Sequence, residues 1–128
     1  MKTILIDAVN TLIIKNDGIF QEMYLLLEKY PNRKIVLTNA NDEQITSFGL
    51  DKLPYELFTL KHDPEKTSPE YFKIFLNNYN LKKEDIIYFE HNLDAVRSAE
   101  SLGIKTYHYN HETKDLDKLK IFLDENIS

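Results

Sequence analysis

The run IIYFEHNLDAVRSAESLGI, residues 86–104, holds the plan of the whole chain. Ile86 to Phe89 is a short aliphatic and aromatic stretch without polar alternation, which reads as a strand buried on both faces. Glu90, His91 and Asn92 follow as a polar step. Asp94 to Leu102 reads as a helix, and Gly103 closes it. Ile104 to Tyr107 then begins another strand. Strand, helix and strand in so short a span form the crossover unit that links parallel neighbours.

The same alternation extends in both directions from this run. Thr3 to Ile6 is a β-branched and aliphatic strand. Ile19 to Tyr30 places apolar residues at 19, 20, 23, 24, 26, 27 and 30, a helical period that Pro31-Asn32 ends. Ile35 to Leu37 is a second buried strand, running out into Thr38-Asn39. Asn41 is placed to cap a short helix through Phe48, with Gly49 as its stop. Leu57 to Leu60 reads as a third strand, and Ser68-Pro69 opens a helix that continues to Tyr79. The last helix, Thr113 to Asn126, offers Leu116, Leu119, Phe122 and Leu123 to the core. The expected fold is α/β: a three-layer, Rossmann-like sandwich with a five-stranded, mostly parallel sheet and helices on both faces. With no internal repeat or linker-like stretch, residues 1–128 are expected to form a single domain.

Composition narrows the functions. Hydrophobic residues make up 42% and charged residues 29% of the 128, the balance of an ordinary soluble globular protein. There is no cysteine, which removes thiol nucleophiles, disulfides and cysteine-bound zinc. A net charge of −5 argues against nucleic acid, whose binding needs a basic face. No apolar run approaches the ~18 residues of a membrane span, and the start MKTILIDA lacks the form of a secretion signal. The expected location is cytoplasmic, without membrane or nucleic-acid partners.

In an open parallel sheet, ligands bind beyond the carboxyl ends of the strands. The polar residues there are Asp7, Asn10 and Thr11 after the first strand and Thr38 and Asn39 after the second. Lys66 lies before the next helix, and Glu90, His91, Asn92 and Asp94 follow the fourth strand. A carboxylate, a hydroxyl, a lysine and a second acidic group on one edge form a constellation suited to phosphate.

Four stretches carry a more specific likeness: ILIDAVNTL at 4–12, IVLTN at 35–39, KTSPEYF at 66–72 and the run at 86–104. Their order and spacing resemble the motifs of the haloacid dehalogenase-like (HAD) superfamily, over roughly the whole chain. The resemblance implies a phosphohydrolase in which Asp7 is the nucleophile, forming an aspartyl-phosphate that water later hydrolyses. It makes Thr38 a hydroxyl donor to the phosphoryl group, with Asn39 beside it, and Lys66 the cation that neutralises both nucleophile and phosphoryl oxygens. It also implies Mg²⁺, held by Asp7, the backbone carbonyl of Val9, Glu90 and the residue at position 91.

Two departures bear on activity. Where the family's phosphatases have a second Asp, which protonates the leaving alcohol and activates water, this chain has Val9. Losing such a group typically costs about 10²–10⁴-fold in rate. Where a metal-binding Asp is expected stands His91, a poor ligand for Mg²⁺ and a better one for Mn²⁺ or Zn²⁺. Protonated, it would instead supply positive charge itself, and the site would then hold no ion. Asp94 could act as a replacement ligand, although an Asp at the start of a helix also complements the helix dipole. His62, His108 and His111 have no metal-like spacing and read as surface or turn residues.

There is no room for the inserted cap domain of many HAD phosphatases. Leu12 to Ile19 suffices only for a small hairpin, turning at Asn16-Asp17-Gly18. An open site points to a homo-oligomer or a protein partner as its cover, and to a phosphorylated small molecule or protein as substrate. Three functions stay open. One is a phosphohydrolase for acyl phosphates, phosphoanhydrides or activated aryl esters, whose leaving groups need no proton. Another is a catalytically inactive binding or assembly module. The third is a metal-independent 2-haloacid dehalogenase, because DAVNTL is similar to the dehalogenases' DAYGTL and Asn92 falls near an asparagine of their last motif.

Overall fold

The five aliphatic runs pair into one parallel sheet. The computed structural model describes residues 1–128. Its strands in chain order are β1 (Thr3–Asp7), β2 (Ile13–Ile14), β3 (Gly18–Ile19), β4 (Lys34–Thr38), β5 (Glu56–Thr59), β6 (Ile86–Glu90) and β7 (Lys105–His108). The helices are α1 (Gln21–Leu27), α2 (Asp42–Ser47), α3 (Pro69–Tyr79), α4 (Leu93–Ser101) and α5 (Leu116–Asn126). The main sheet runs β5-β4-β1-β6-β7, and every pairing in it is parallel. The small sheet is the antiparallel hairpin β2–β3.

The two-residue period of the strands divides the core. Ile4 and Ile6, with Val36, Ile87 and Phe89, face Met23, Leu26 and Leu27 of α1 and Leu119 and Leu123 of α5. Leu5, Ile35, Leu37 and Tyr88 face the other way, against Tyr71, Phe72 and Phe75 of α3 and Ala99 of α4. All five residues of β1 are buried, as befits a central strand covered on both sides.

The starts of α2 and α3 follow the sequence closely. Asn41 caps α2 in a full capping box with Gln44, Gly49 follows with φ 70°, and Ser68 caps α3 ahead of Pro69. Two helices are shorter than their periodicity predicts. Ile19 pairs with Ile13 in the hairpin and Phe20 is the N-cap, so α1 begins at Gln21 and ends at Leu27. At the other end of the chain Asn110 Oδ1 accepts from the backbone N–H groups of Glu112 and Thr113 in a turn. The final helix therefore starts after Asp115, whose side chain accepts from Lys118 N–H. Leu119 and Leu123 of that helix are buried, while Leu116 and Phe122 are only partly covered.

The chain leaves β1 for β4 and β5 on one side of the sheet, then crosses to β6 and β7 on the other. β1 and β6 are therefore neighbours across the point where strand order reverses, where open sheets form their crevice. The β1-to-β4 connection carries the hairpin and α1, and the β4-to-β5 connection carries α2 and a short 3₁₀ turn at Leu50–Lys52. No helix is long and apolar enough to cross a membrane.

Candidate active site

Asp7 ends β1 and Glu90 ends β6, adjacent strands in register through Ile6 and Phe89. Both carboxylates are buried, and so is Lys66, which reaches them from the loop before α3. Its Nζ donates to Asp7 Oδ1 at 2.6 Å and to Glu90 Oε1 at 2.7 Å. Lys66 is held in turn by its backbone N–H, which donates to Asn39 Oδ1 at 2.7 Å. Tyr71 of α3 donates to the Thr38 carbonyl at 2.8 Å, pinning that helix to the end of β4.

The two oxygens of Asp7 differ. Oδ2 accepts from the Thr11 hydroxyl at 2.7 Å, from the His91 backbone N–H at 3.3 Å and from His91 Nδ1. Oδ1 accepts from Lys66 alone. A carboxylate oxygen has two lone-pair sites, so Oδ2 is saturated while Oδ1 keeps one free. Glu90 is equally engaged: Oε1 receives Lys66 and the Tyr88 hydroxyl, and Oε2 receives the Asn92 backbone N–H at 3.0 Å.

These contacts set the charge states. Burial pushes the Asp7 carboxyl up, but the Lys66 ammonium and then the His91 hydrogen bond outweigh it and hold the group well below the ordinary carboxylate range. Burial likewise disfavours the charged forms of Lys66 and His91. The Asp7 and Glu90 charges overcome this at Lys66, which is raised. Hydrogen bonds to Asp7 and then Glu90 overcome it at His91, which is raised to about 9. Around neutral pH Asp7 is ionised and His91 is an imidazolium.

A shallow pocket of about 170 Å³ reaches Asp7, with Val9, Thr38, Asn39, His62 and His91 in its lining. Thr38 Oγ1 accepts from Ala40 N–H at 3.2 Å, which leaves its own proton to donate. Of the residues the sequence singles out, Asp7, Val9, Thr38, Asn39, Lys66, Glu90 and His91 gather at this edge. Asp94 does not join them: it is exposed in the first turn of α4, which leaves it the helix role. Asn92 caps the same helix, its Oδ1 accepting from Asp94 and Ala95 N–H.

The remaining histidines are surface or turn residues, as the sequence suggests, but they border the site. His62 is exposed but lines the pocket, bridging Glu65 and Gln44 at 2.6 Å each. His108 Nε2 meets the His91 carbonyl at 2.9 Å, and the His111 ring packs edge-on to His91 with centroids 5.0 Å apart. His91, His108 and His111 with Tyr107 and Lys118 line a cleft of about 580 Å³ beside the site. The signal that finds His108 is its place at the carboxyl end of β7, opposite Glu90 in the ladder.

No protein-family model matches the sequence, nor does the sequence of any curated protein. Solved structures do match the fold. A HAD family enzyme from Bacteroides thetaiotaomicron, an aspartate-to-alanine mutant in complex with magnesium and inorganic phosphate, superposes with a TM-score of 0.66. Identity is 16%, over 93% of this chain and 98% of that one. An uncharacterised protein from Corynebacterium glutamicum gives a TM-score of 0.64 at 15% identity, over 95% of each chain. The core domain of a provisionally assigned phosphoglycolate phosphatase from Streptococcus pneumoniae gives 0.60 at 18% identity, over 94% of each. The fold is HAD-like.

In a HAD-like fold the question of a metal arises at once. Asp7, Glu90 and His91 each bring one ligand-type atom within 4.8 Å of the others, a group that could hold an ion. The donor chemistry does not fit Mg²⁺. That ion demands hard oxygens in near-octahedral array, whereas one of the three donors here is an imidazole nitrogen bonded to Asp7. Asp7 Oδ2 is saturated, and Lys66 Nζ bridges Asp7 Oδ1 and Glu90 Oε1.

Proposed function

We propose that this chain is a HAD-type phosphohydrolase acting through an aspartyl-phosphate at Asp7, on phosphorylated substrates with good leaving groups. The observation that carries the reading is the asymmetry of Asp7. Its carboxylate is buried and ionised, locked through Oδ2 by Thr11 and His91, with a lone pair of Oδ1 left free. A nucleophile needs such a fixed orientation and one free lone pair.

Asp7 Oδ1 attacks phosphorus, and the bond from phosphorus to the leaving oxygen breaks. Lys66 stabilises the charge that builds on the phosphoryl oxygens, and the Thr38 hydroxyl and the Asn39 amide NH₂ are placed to donate to them. A carboxylate, a phosphate or an activated phenolate departs as the anion, so the absence of an acid at Val9 costs this step little. Water then attacks phosphorus, Asp7 leaves as carboxylate, and both protons of the water go to the phosphate product, which departs as dihydrogen phosphate. Val9 cannot assist that water, so the second step is the slow one and the phosphoenzyme accumulates.

Mixing the protein with acetyl phosphate tests this: intact mass rises by one phosphoryl group, and Asp7→Asn abolishes the gain. The site sits at an open sheet edge, and a second copy of the chain or a protein partner is the cover we propose for it.

One observation favours a second reading, a binding or assembly module. Every oxygen of Asp7 and Glu90 already has a protein partner, as in a site kept for rigidity. On that reading acetyl phosphate leaves the mass unchanged.

A further inference from the structure

The fit between the donors and a divalent metal fails for a reason that has its own content. The HAD-like edge gathers two buried carboxylates, Asp7 and Glu90, and such a pair requires compensating charge. Lys66 Nζ lies between them at 2.6 and 2.7 Å. His91 Nδ1 contacts Asp7 Oδ2 and lies 3.3 Å from Glu90 Oε2. Two nitrogen-bearing side chains therefore already engage both carboxylates in one closed cluster. A divalent ion at Asp7 Oδ2 would have to displace the His91 ring and backbone N–H, which already fill that oxygen together with the Thr11 hydroxyl.

Displacement is opposed on every side. Lys66 is buried and anchored through its backbone by Asn39. His91 is fixed twice to Asp7, through its ring and its backbone N–H. Its carbonyl is held by His108, and its ring rests against His111. Asp94, the residue that could restore a lost oxygen ligand, lies outside on α4.

We propose that the phosphoryl site of this protein is metal-independent, the ring and backbone N–H of His91 occupying the place of the divalent cation at Asp7 Oδ2. Lys66 supplies the positive charge between the two carboxylates. The ligand class of the site follows: a phosphoryl group bound by an ammonium, an imidazole and a hydroxyl, with no ion between it and Asp7. This rests on the phosphohydrolase reading for its chemistry, but the absence of a metal requirement stands apart from turnover.

The test has two arms. In the first, Mg²⁺, Mn²⁺ and Zn²⁺ are titrated separately into chelator-treated protein while the backbone amides of residues 7–11 and 90–92 are followed by NMR. Wild type is expected to show no saturable shift, whereas His91→Asp, which restores an oxygen ligand and removes the imidazole, gains a saturable Mg²⁺ response. Saturable binding of any of the three ions at these amides of wild type overturns the proposal, and that result is read whether or not the variant folds. In the second arm, acetyl phosphate is added with EDTA present. Phosphoenzyme that forms in EDTA supports the proposal, and phosphoenzyme that forms only with added metal overturns it while leaving the phosphohydrolase reading intact. Absence of phosphoenzyme under all conditions, with no metal bound, removes the phosphohydrolase reading and leaves the metal-free site supported.

Discussion

Val9 and His91 decide what the site can do. Val9 lines the pocket over Asp7, and on the phosphohydrolase reading we propose it takes the position of the acid–base group that would meet the leaving oxygen or the attacking water. Val9→Asp is expected to speed breakdown of the phosphoenzyme by roughly 10²-fold or more, measured as decay of the phosphorylated mass after acetyl phosphate is removed. An unchanged decay rate would mean that position 9 does not reach the reacting atoms. Asp7, Thr38, Glu90 and His91 could be chosen from the sequence because each stands at or just beyond a strand end, and Lys66 because it lies just ahead of the Ser68-Pro69 helix start. The partnership of His91 with His108 and His111 could not, since sheet adjacency, and not spacing along the chain, brings them together. The saturation of Oδ2 was equally hidden, because it depends on Thr11 folding back onto the residue four before it.

At the scale of elements, a helix start is legible where a polar cap stands ahead of the run. Asn41, Ser68 and Asn92 cap their helices as polar residues ahead of helical runs do. Two starts were less legible: Ile19 suits the helix period and the hairpin alike, and pairing with Ile13 wins, while the Asn110 turn holds the last helix back to Leu116. α4 shows how an element serves the site. Asn92 Oδ1 caps the helix while its own backbone N–H donates to Glu90 Oε2, so the cap also fixes the second carboxylate. Asn92→Ala is expected to cost about 1 kcal/mol, read as a lower urea midpoint with an unchanged slope. A midpoint equal to that of wild type would show that the cap contributes nothing.

Taken as a whole, the molecule balances its charges at the edge where strand order reverses, and its stability inherits that balance. His91 is raised from its ordinary 6.5 to about 9 on folding. A raised cation contributes stability that is fully present below 6.5 and is lost as pH rises through about 9. Asp7, being depressed, contributes above its ordinary 3.8 and loses that contribution as pH falls. Thermal stability is therefore expected to be highest on the mildly acidic side and to fall from near neutral towards pH 9, a fall that His91→Gln flattens. An equally steep fall in that variant would place the titrating group elsewhere. The layers, strand count and crossover pattern of the fold were readable from the buried runs alone, but the closed pairing of Lys66 and His91 with two carboxylates needed the sheet order that sets β6 beside β1.

The most direct measurement is the intact mass of the wild-type chain after acetyl phosphate in EDTA, beside Asp7→Asn treated identically. A gain of one phosphoryl group in wild type, absent from Asp7→Asn, is the predicted result. No gain in wild type, with or without metal, would contradict a nucleophilic Asp7 and leave the chain a HAD-like fold kept for binding.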